Sequence, residues 1–189
     1  MKKQILLLLM MLLPLVASAV EINGINYEIT VYGKTAEVAK KAYQGSVNIP
    51  DSITYNGVKF SVTGIGVQAF EGCTELTSVT IGNNVKYIRE SAFEGCSGLT
   101  SVTLGIRVTT IAANAFQDCK SLVSIDMPDT MKTIETGAFR HCIGLTSIVI
   151  PNSVTSIETE AFSGCMSLTS IVIPNSVTTI EASVFKGCI

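Results

Sequence analysis

The sequence predicts an α/β repeat solenoid, in which coils of equal length stack through short parallel strands. Three observations lead to this prediction. Cysteines recur at a constant interval of 23 positions, other apolar residues keep the same interval, and each unit contains one short alternating segment. The cysteines are Cys73, Cys96, Cys119, Cys142, Cys165 and Cys188. Intervals of this size are typical of repeat proteins, and no insertion interrupts the interval here.

The other apolar columns follow the cysteines in register. A Phe stands three residues before each cysteine, from Phe70 to Phe185, and an Ile stands eight residues before each. A Leu stands three residues after each of the first five cysteines, from Leu76 to Leu168. One unit alone cannot bury its roughly eight inward positions, whereas units stacked in register can. The sequence therefore predicts one continuous core.

The unit at 142–164 shows how each coil is expected to fold. Its segment 145–150 (LTSIVI) alternates apolar and small polar residues, which predicts a half-buried strand. Pro151 cannot continue a strand ladder, so the chain should turn there. Residues 158–162 are expected to form a short helical or 3₁₀ turn with Phe162 on its inner side. Glu158 should lie on the outer arc and contribute under about 0.5 kcal/mol to stability.

Composition and charge exclude several classes of function. The 13 basic and 15 acidic residues give a formal net charge of −2, so the chain offers no basic field to nucleic acid. The single His excludes metal sites that need several His ligands. No set of titratable groups converges in the pattern, so we expect no enzyme activity, no catalytic residues and no cofactor.

The segment 1–19 predicts an export signal. Lys2 and Lys3 precede an apolar stretch at 5–16, and residues 17–19 (ASA) have the small side chains that signal peptidase reads. The apolar stretch is too short to span a bilayer as a helix, which needs about 20 residues. The alternatives are an uncleaved anchor and a buried helix. Cleavage after residue 19 would leave an exported chain without a transmembrane segment.

Residues 20–63 do not follow the repeat interval and are predicted to form a β-rich cap on the first coil. Asn-Gly pairs at 23–24 and 56–57 stand between apolar residues, which indicates two type I′ hairpins. The segment 47–50 (VNIP) is similar to a strand of the repeat. The repeat itself then occupies residues 64–189 as about five full coils, the last of them incomplete.

The cysteine column is expected to hold free, buried thiols, with a disulfide or a metal site as alternatives. In an in-register stack, equivalent Cβ atoms lie about 4.8 Å apart and point in parallel. A disulfide requires about 3.8 Å and converging bonds, and zinc requires four convergent ligands. His141 occupies a turn position that is Gly in most coils, so we expect no catalytic pair with the adjacent Cys142.

The strand pattern L-x-x-I-x-I is the strand half of a leucine-rich repeat. The longer pattern G-x-x-A-F-x-G-C-x-x-L-T-S-I-x-I-P-x-S-V-T-x-I resembles the BspA-like, or treponemal-type, leucine-rich repeat family of bacterial surface proteins. The chain departs from commoner leucine-rich repeats after the strand, where Asn is kept only as Asn84. Arg107, Thr130, Ser153 and Ser176 replace it in the later coils. Hydroxyl groups and Pro are therefore expected to support these turns.

The solvent-facing strand positions form the candidate binding face. The second, third and fifth residues of L-x-x-I-x-I should face solvent on the concave side of the sheet. The third residue is always Ser, and the fifth changes from Thr to Asp and then to Val. Thr and Val also favour strands without any binding role. The candidate residues are Ser78, Thr80, Ser101, Thr103, Ser124, Asp126, Ser147, Val149, Ser170 and Val172.

These observations predict a non-enzymatic exported, periplasmic or cell-surface binding module whose concave sheet contacts a protein or glycan on a host or neighbouring cell. The resemblance implies adhesion to host extracellular matrix and to other bacteria. The alternative is a structural scaffold of the cell envelope with no specific ligand on this sheet. The last coil has no polar closing unit, which predicts fraying, contact with a partner or continuation in a longer protein.

Overall fold

The computed structural model of the protein describes residues 19–188, which form a β-solenoid of about five turns. The predicted export signal lies outside the described residues, apart from Ala19. The described part of the chain contains twelve short strands. They are β1 (Val20–Ile22), β2 (Ile25–Thr30), β3 (Thr35–Val38), β4 (Gly45–Ile49), β5 (Ser52–Tyr55), β6 (Val58–Ile65), β7 (Leu76–Ile81), β8 (Tyr87–Ile88), β9 (Ser101–Thr103), β10 (Thr110–Ile111), β11 (Thr133–Ile134) and β12 (Ser156–Ile157).

The strands form two sheets. The long sheet has the order β1-β2-β3-β6-β8-β10-β11-β12, with β5 paired to β6. The short sheet has the order β4-β7-β9. In the repeat, neighbouring strands are parallel and pair equivalent residues of adjacent coils, as Thr110 does with Thr133. Single bridges continue the short sheet through Thr103, Asp126, Val149 and Val172.

The predicted α/β class is wrong, because residues 19–188 contain no helix. The expected helical turn at 158–162 is a hydrogen-bonded turn in which the N–H groups alternate between two kinds of partner. Ala161 donates to Glu158 O at 3.2 Å within the turn, whereas Phe162 donates to Val184 O in the next coil at 3.0 Å. A helix needs each N–H to bond four residues back. Glu160 also has a φ of 57°, which interrupts a right-handed helix.

The predicted aromatic column lies in the core. The rings from Phe70 to Phe162 are fully buried and stack nearly parallel on one another. The distance between ring centroids rises from 4.7 Å at the amino-terminal end to 5.9 Å between Phe162 and Phe185. Tyr43 extends the column, since its ring centroid lies 4.4 Å from that of Phe70. The in-register stacking of coils is therefore confirmed.

The cysteine column is also confirmed as a column of free thiols. All six cysteines are free, and those before Cys188 are buried. From Cys96 onward, each thiol donates a hydrogen bond of 3.0–3.2 Å to the carbonyl oxygen of a Phe in the preceding coil. Cys119, for example, bonds to Phe93 O. This bond satisfies the thiol inside the core and directs it away from its neighbours in the column.

The strands before the repeat contain both predicted hairpins. Asn23 and Gly24 have φ values of 52° and 82°, and the Asn-Gly pair at 56–57 has values of 49° and 74°. Positive φ at both central residues is the signature of a type I′ turn. The predicted repeat-like strand is confirmed as β4, which pairs in parallel with β7. Arg89 donates two hydrogen bonds of 2.6 and 2.7 Å to Glu37, which ties β3 to the first coil.

The turn after each short-sheet strand is closed in the same way in every coil. The Val85 N–H donates to Gly82 O at 3.2 Å, and the equivalent bonds to Pro carbonyls are 2.9–3.0 Å long. The expected hydroxyl support is confirmed for Thr130, whose Oγ1 lies 2.8 Å from two carbonyl oxygens of the preceding coil. It is wrong for Ser153 and Ser176, whose hydroxyls are buried with no partner within residues 19–188. In those coils the turn is held by the fixed φ of Pro and by the backbone hydrogen bond to its carbonyl oxygen.

Candidate functional site

The short sheet places the candidate residues in two parallel rows. Ser78 pairs with Ser101 and Thr80 pairs with Thr103, so equivalent side chains lie one strand apart. Neighbouring strands in a sheet are about 4.8 Å apart. The serine row contains Ser78, Ser101, Ser124, Ser147 and Ser170, and the variable row contains Thr80, Thr103, Asp126, Val149 and Val172. We call these two rows the short-sheet face.

The face extends into the strands before the repeat, which the sequence reasoning missed. β4 pairs with β7 so that Ser46 lies beside Ser78 and Asn48 beside Thr80. Ser46 and Asn48 are both exposed, and the hydroxyls of Ser46 and Ser78 are hydrogen-bonded. The alternation of polar and apolar residues in β4 was the signal that could have identified them. Each row is therefore one member longer than the repeat alone provides.

The chemistry of the face changes along the variable row. Its amino-terminal half carries amide and hydroxyl groups, followed by the carboxylate of Asp126. Its last two members are aliphatic, and the side chains of Val149 and Val172 are 75% and 81% exposed. The same two coils also expose Ile143 and Met166, just before their short-sheet segments begin. The face thus joins a polar half to an apolar half, with one acidic group at the boundary.

Asp126 is the only charged residue in the two rows. It is exposed, and it forms no ion pair with any residue in the described range 19–188. Its neighbours along the row are Thr103 on one side and Val149 on the other. The carboxylate is therefore available to a cation from outside the chain.

The thiol next to the single His does not have the geometry of a nucleophile. Cys142 Sγ donates to Phe116 O at 3.1 Å inside the core. Burial, with a smaller effect of the neighbouring Cys165, raises the pKa of Cys142 well above its usual value. His141 has a φ of 57°, and its Nδ1 lies 3.8 Å from the Asp118 carboxylate. A reactive cysteine needs a lowered pKa and a base within reach, so Cys142 is a packing residue.

Two open clefts lie beside the candidate rows, and only one residue of the rows contributes to their lining. A cleft of about 400 Å³ lies between segments 40–44 and 71–75, and its lysines are paired with acids: Lys40 with Glu71, and Lys41 with Glu21. A second cleft of about 300 Å³ is lined by the last coil and includes Ser170 of the serine row. Within residues 19–188, no three His, Cys, Asp or Glu side chains are grouped as metal ligands would be.

Comparisons with known proteins agree with this architecture. Residues 63–189 match the family described as BspA type Leucine rich repeat region, in six copies. A leucine-rich repeat protein from Bacteroides ovatus is 35% identical with a TM-score of 0.81, over 89% of this chain and 45% of its own. The T. pallidum leucine-rich repeat protein is 28% identical with a TM-score of 0.80, over 90% and 78%. The pneumococcal vaccine antigen PcpA, 24% identical with a TM-score of 0.75, shares the fold over 92% and 48%.

The chain spans less than half the length of the Bacteroides ovatus protein. A comparison with curated proteins finds no significant match. In the part of the chain that the structure describes, no helix is long and apolar enough to cross a membrane.

Proposed function

Because the chain belongs to the BspA-type leucine-rich repeat family, we propose that it is a non-enzymatic binding module whose short-sheet face holds a protein partner. Proteins built from such repeats typically mediate protein interactions. The observation that carries the proposal is the exposed aliphatic pair Val149 and Val172, which lie side by side on an otherwise hydroxyl-rich sheet. A partner that covers apolar surface of this kind removes it from water, which stabilises the complex.

The short-sheet face offers both kinds of group that protein interfaces use. Such interfaces combine apolar contacts with hydrogen bonds from polar groups. Here Val149, Val172, Ile143 and Met166 supply exposed apolar groups in two adjacent coils, and the serine row runs between them. At the equivalent positions of the first two coils, Thr already provides a side chain that favours a strand. The aliphatic side chains are thus not required for the strand.

We propose that residues 20–63 form the cap of the solenoid and that residues 64–189 form the repeat domain. Two observations support this division. Tyr43 covers the first ring of the aromatic column, and the ion pair between Glu37 and Arg89 joins the preceding strands to the first coil. The end of a solenoid otherwise exposes its core to water, which a covering segment prevents.

Export and adhesion to host or neighbouring cells are the biological part of the proposal. The apolar stretch at 5–16 and the small residues at 17–19 support export, and BspA-type proteins are typically exported or on bacterial surfaces. The test of export is expression with the complete leader in an exporting bacterium, followed by sequencing of the amino terminus. We expect Val20 as the first residue of the exported protein. Retention of Met1 on the exported protein would contradict cleavage.

The test of the binding face is the double variant V149K/V172K. Purified matrix proteins, purified glycans and intact bacterial cells serve as immobilised targets. We expect binding of the wild-type protein to at least one target, and a loss of about tenfold or more in affinity for the variant. The melting temperature should not change, because both side chains are exposed.

The matched control is the double variant T155K/T178K. It adds the same charge at exposed positions beside the long sheet, where the equivalent residues of other coils are Lys86 and Lys132. The control should bind as the wild-type protein does. Equal binding by all three proteins would place the contact elsewhere. Binding to no target by any of them would favour the alternative of a scaffold of the cell envelope, and binding only to purified glycans would exclude a protein partner.

A further inference from the structure

Resting on the proposed function, we infer that the partner presents an amphipathic helix along the variable row, with two aliphatic side chains over Val172 and Val149 and a basic side chain over Asp126. The three residues are consecutive members of one row, linked by parallel bridges from Asp126 to Val149 and from Val149 to Val172. Their order is therefore fixed by the register of the coils.

The spacing of the row matches a helix. Successive members of the row are about 4.8 Å apart, so the three positions lie at about 0, 4.8 and 9.6 Å. Helix residues i, i+3 and i+7 share one face and lie at about 0, 4.5 and 10.5 Å along the helix axis. Residues on one face of an extended chain are about 6.6 Å apart, and such a chain loses register with the coils after one step.

The chemistry of the row determines which side chains the helix carries. Val149 and Val172 are apolar and almost fully accessible, so aliphatic side chains at i and i+3 gain most by covering them. Ile143 and Met166 lie in the same two coils and widen the apolar area. An aliphatic side chain is not the best neighbour for the next position, because the Asp126 carboxyl group is polar and forms no ion pair within the described residues.

A basic side chain at i+7 completes the match. Lys or Arg at that position would pair with Asp126 at the boundary of the apolar area, where partial exclusion of water strengthens the attraction. An acidic side chain there would be repelled. Beyond Asp126 the row carries Thr103, Thr80 and Asn48, so the remainder of the helix should be polar. The helix should therefore read aliphatic, aliphatic, basic and polar from the carboxyl-terminal coil towards the amino-terminal one.

The test uses a displayed library of helical peptides, each long enough for about five helical turns. Positions i, i+3 and i+7 of one face are randomised, and the library is selected in parallel on the immobilised wild-type protein, on the D126K variant and on V149K/V172K. On the wild-type protein we expect enrichment of aliphatic residues at i and i+3 and of Lys or Arg at i+7. On D126K the preference at i+7 should change to Asp or Glu, while the aliphatic preference is kept.

Soluble versions of the enriched peptides provide the affinities. Peptides selected on the wild-type protein should bind D126K about tenfold more weakly, and their affinity for the wild-type protein should fall as the salt concentration rises. The matched control is again T155K/T178K, which raises the charge by the same two units outside the short-sheet face and should leave the affinity within about twofold of the wild type.

The outcomes separate this inference from the proposed function. Enriched peptides that lose binding on V149K/V172K but show the same residues at i+7 on wild type and D126K would overturn the helix register while leaving the binding face intact. Enrichment of extended, non-helical sequences would overturn the helix. Peptides that bind V149K/V172K as well as the wild type would contradict both the inference and the proposed use of the face.

Discussion

The buried thiol column should make the fold sensitive to alkaline pH. Burial raises the pKa of Cys96 and of Cys165 from 9.0 to about 12, and a neighbouring thiol in the column adds to the effect. The pKa values of Cys119 and Cys142 are raised well above 9.0, again chiefly by burial. Unfolding exposes these thiols to water, where they ionise near their usual pKa. The unfolded chain therefore releases protons that the folded chain keeps.

The sign and size of the change in stability with pH follow from this difference in proton binding. The thiols are neutral in both states below about pH 8, so their stabilising contribution is fully present there. As the pH rises above about 9, the free energy of unfolding falls, and the fall ends only near the pKa of the folded state. A thiol such as Cys96, with values of 9.0 unfolded and about 12 folded, should lose about 1.4 kcal/mol by about pH 10. Four such thiols together should lose about 5–6 kcal/mol, a large part of a typical folding stability.

Urea unfolding followed by circular dichroism between pH 7 and about pH 10, under reducing conditions, measures this loss. The double variant C119A/C142A removes two of the four thiols. Its stability at pH 7 should be lower than that of the wild type, but its loss between about pH 8 and pH 10 should be smaller by about 3 kcal/mol. Ile134→Val is the matched control, since it weakens the same core without removing a titrating group.

The alkaline loss in the free energy of unfolding is compared between the wild type, the double variant and the control. The control should be less stable than the wild type at every pH and should show the same alkaline loss. Tyr27 and Tyr43, whose pKa values burial raises to about 12, add a smaller loss that is common to all three proteins. An equal alkaline loss in the wild type and in C119A/C142A would refute the reasoning, because it would mean that the thiols are not held neutral in the core.

Five other substitutions, at four positions, test the packing and the hydrogen bonds between coils. Phe116→Ala removes a fully buried ring between two stacked neighbours and should cost about 3–5 kcal/mol in urea unfolding; a cost below about 1 kcal/mol would place the ring outside the core. Glu158→Ala should cost about 0.5–1 kcal/mol, more than its outer position suggests, because Oε2 accepts bonds of 3.2 and 3.1 Å from the N–H and hydroxyl of Thr136. Glu158→Gln keeps an acceptor and should recover most of that loss. Gly105→Ala should cost more than about 2 kcal/mol in thermal unfolding, since a Cβ there would lie 2.2 Å from Gly82 O of the preceding coil. Gly72→Ala should cost only about 1 kcal/mol. A Cβ at Gly72 meets nothing within 4 Å, and the cost comes from its φ of +70°.

The repeat interval was sufficient to predict which side chains meet in the core. Phe116 and Phe139 occupy equivalent positions of adjacent coils, and an uninterrupted interval leaves only the in-register stack that brings them together. The interval was not sufficient to predict the backbone of segment 158–162. A helical turn and the observed turn both direct Phe162 inward, and they differ in whether its N–H bonds within the turn or to Val184 O of the next coil. Side-chain periodicity carries no information about that choice.

The constant repeat interval also made the candidate face predictable, but only within the repeat. Alternation along each strand identifies Thr80 and Thr103 as exposed, and the interval places them side by side. Ser46 was missed because its separation from Ser78 is 32 positions, which is longer than the repeat interval. The hairpin of β5 and β6 lies between them and adds the extra residues. The repeat interval alone cannot predict the pairing of two strands whose separation along the chain differs from that interval.

The repeat separates the requirements of stability from those of binding. The cysteine column continues unchanged from Cys96 onward because each thiol fits an equivalent space and bonds to the carbonyl group of the equivalent Phe in the preceding coil. The variable row has no such constraint, and it changes from Thr103 to Asp126 to Val149 while the strands keep their register. From Asp126 onward the short sheet is also reduced to single bridges. The coils that carry the apolar part of the face are therefore held mainly by the core columns and by the turn-to-turn hydrogen bonds, and substitutions on the face should alter affinity without altering the fold.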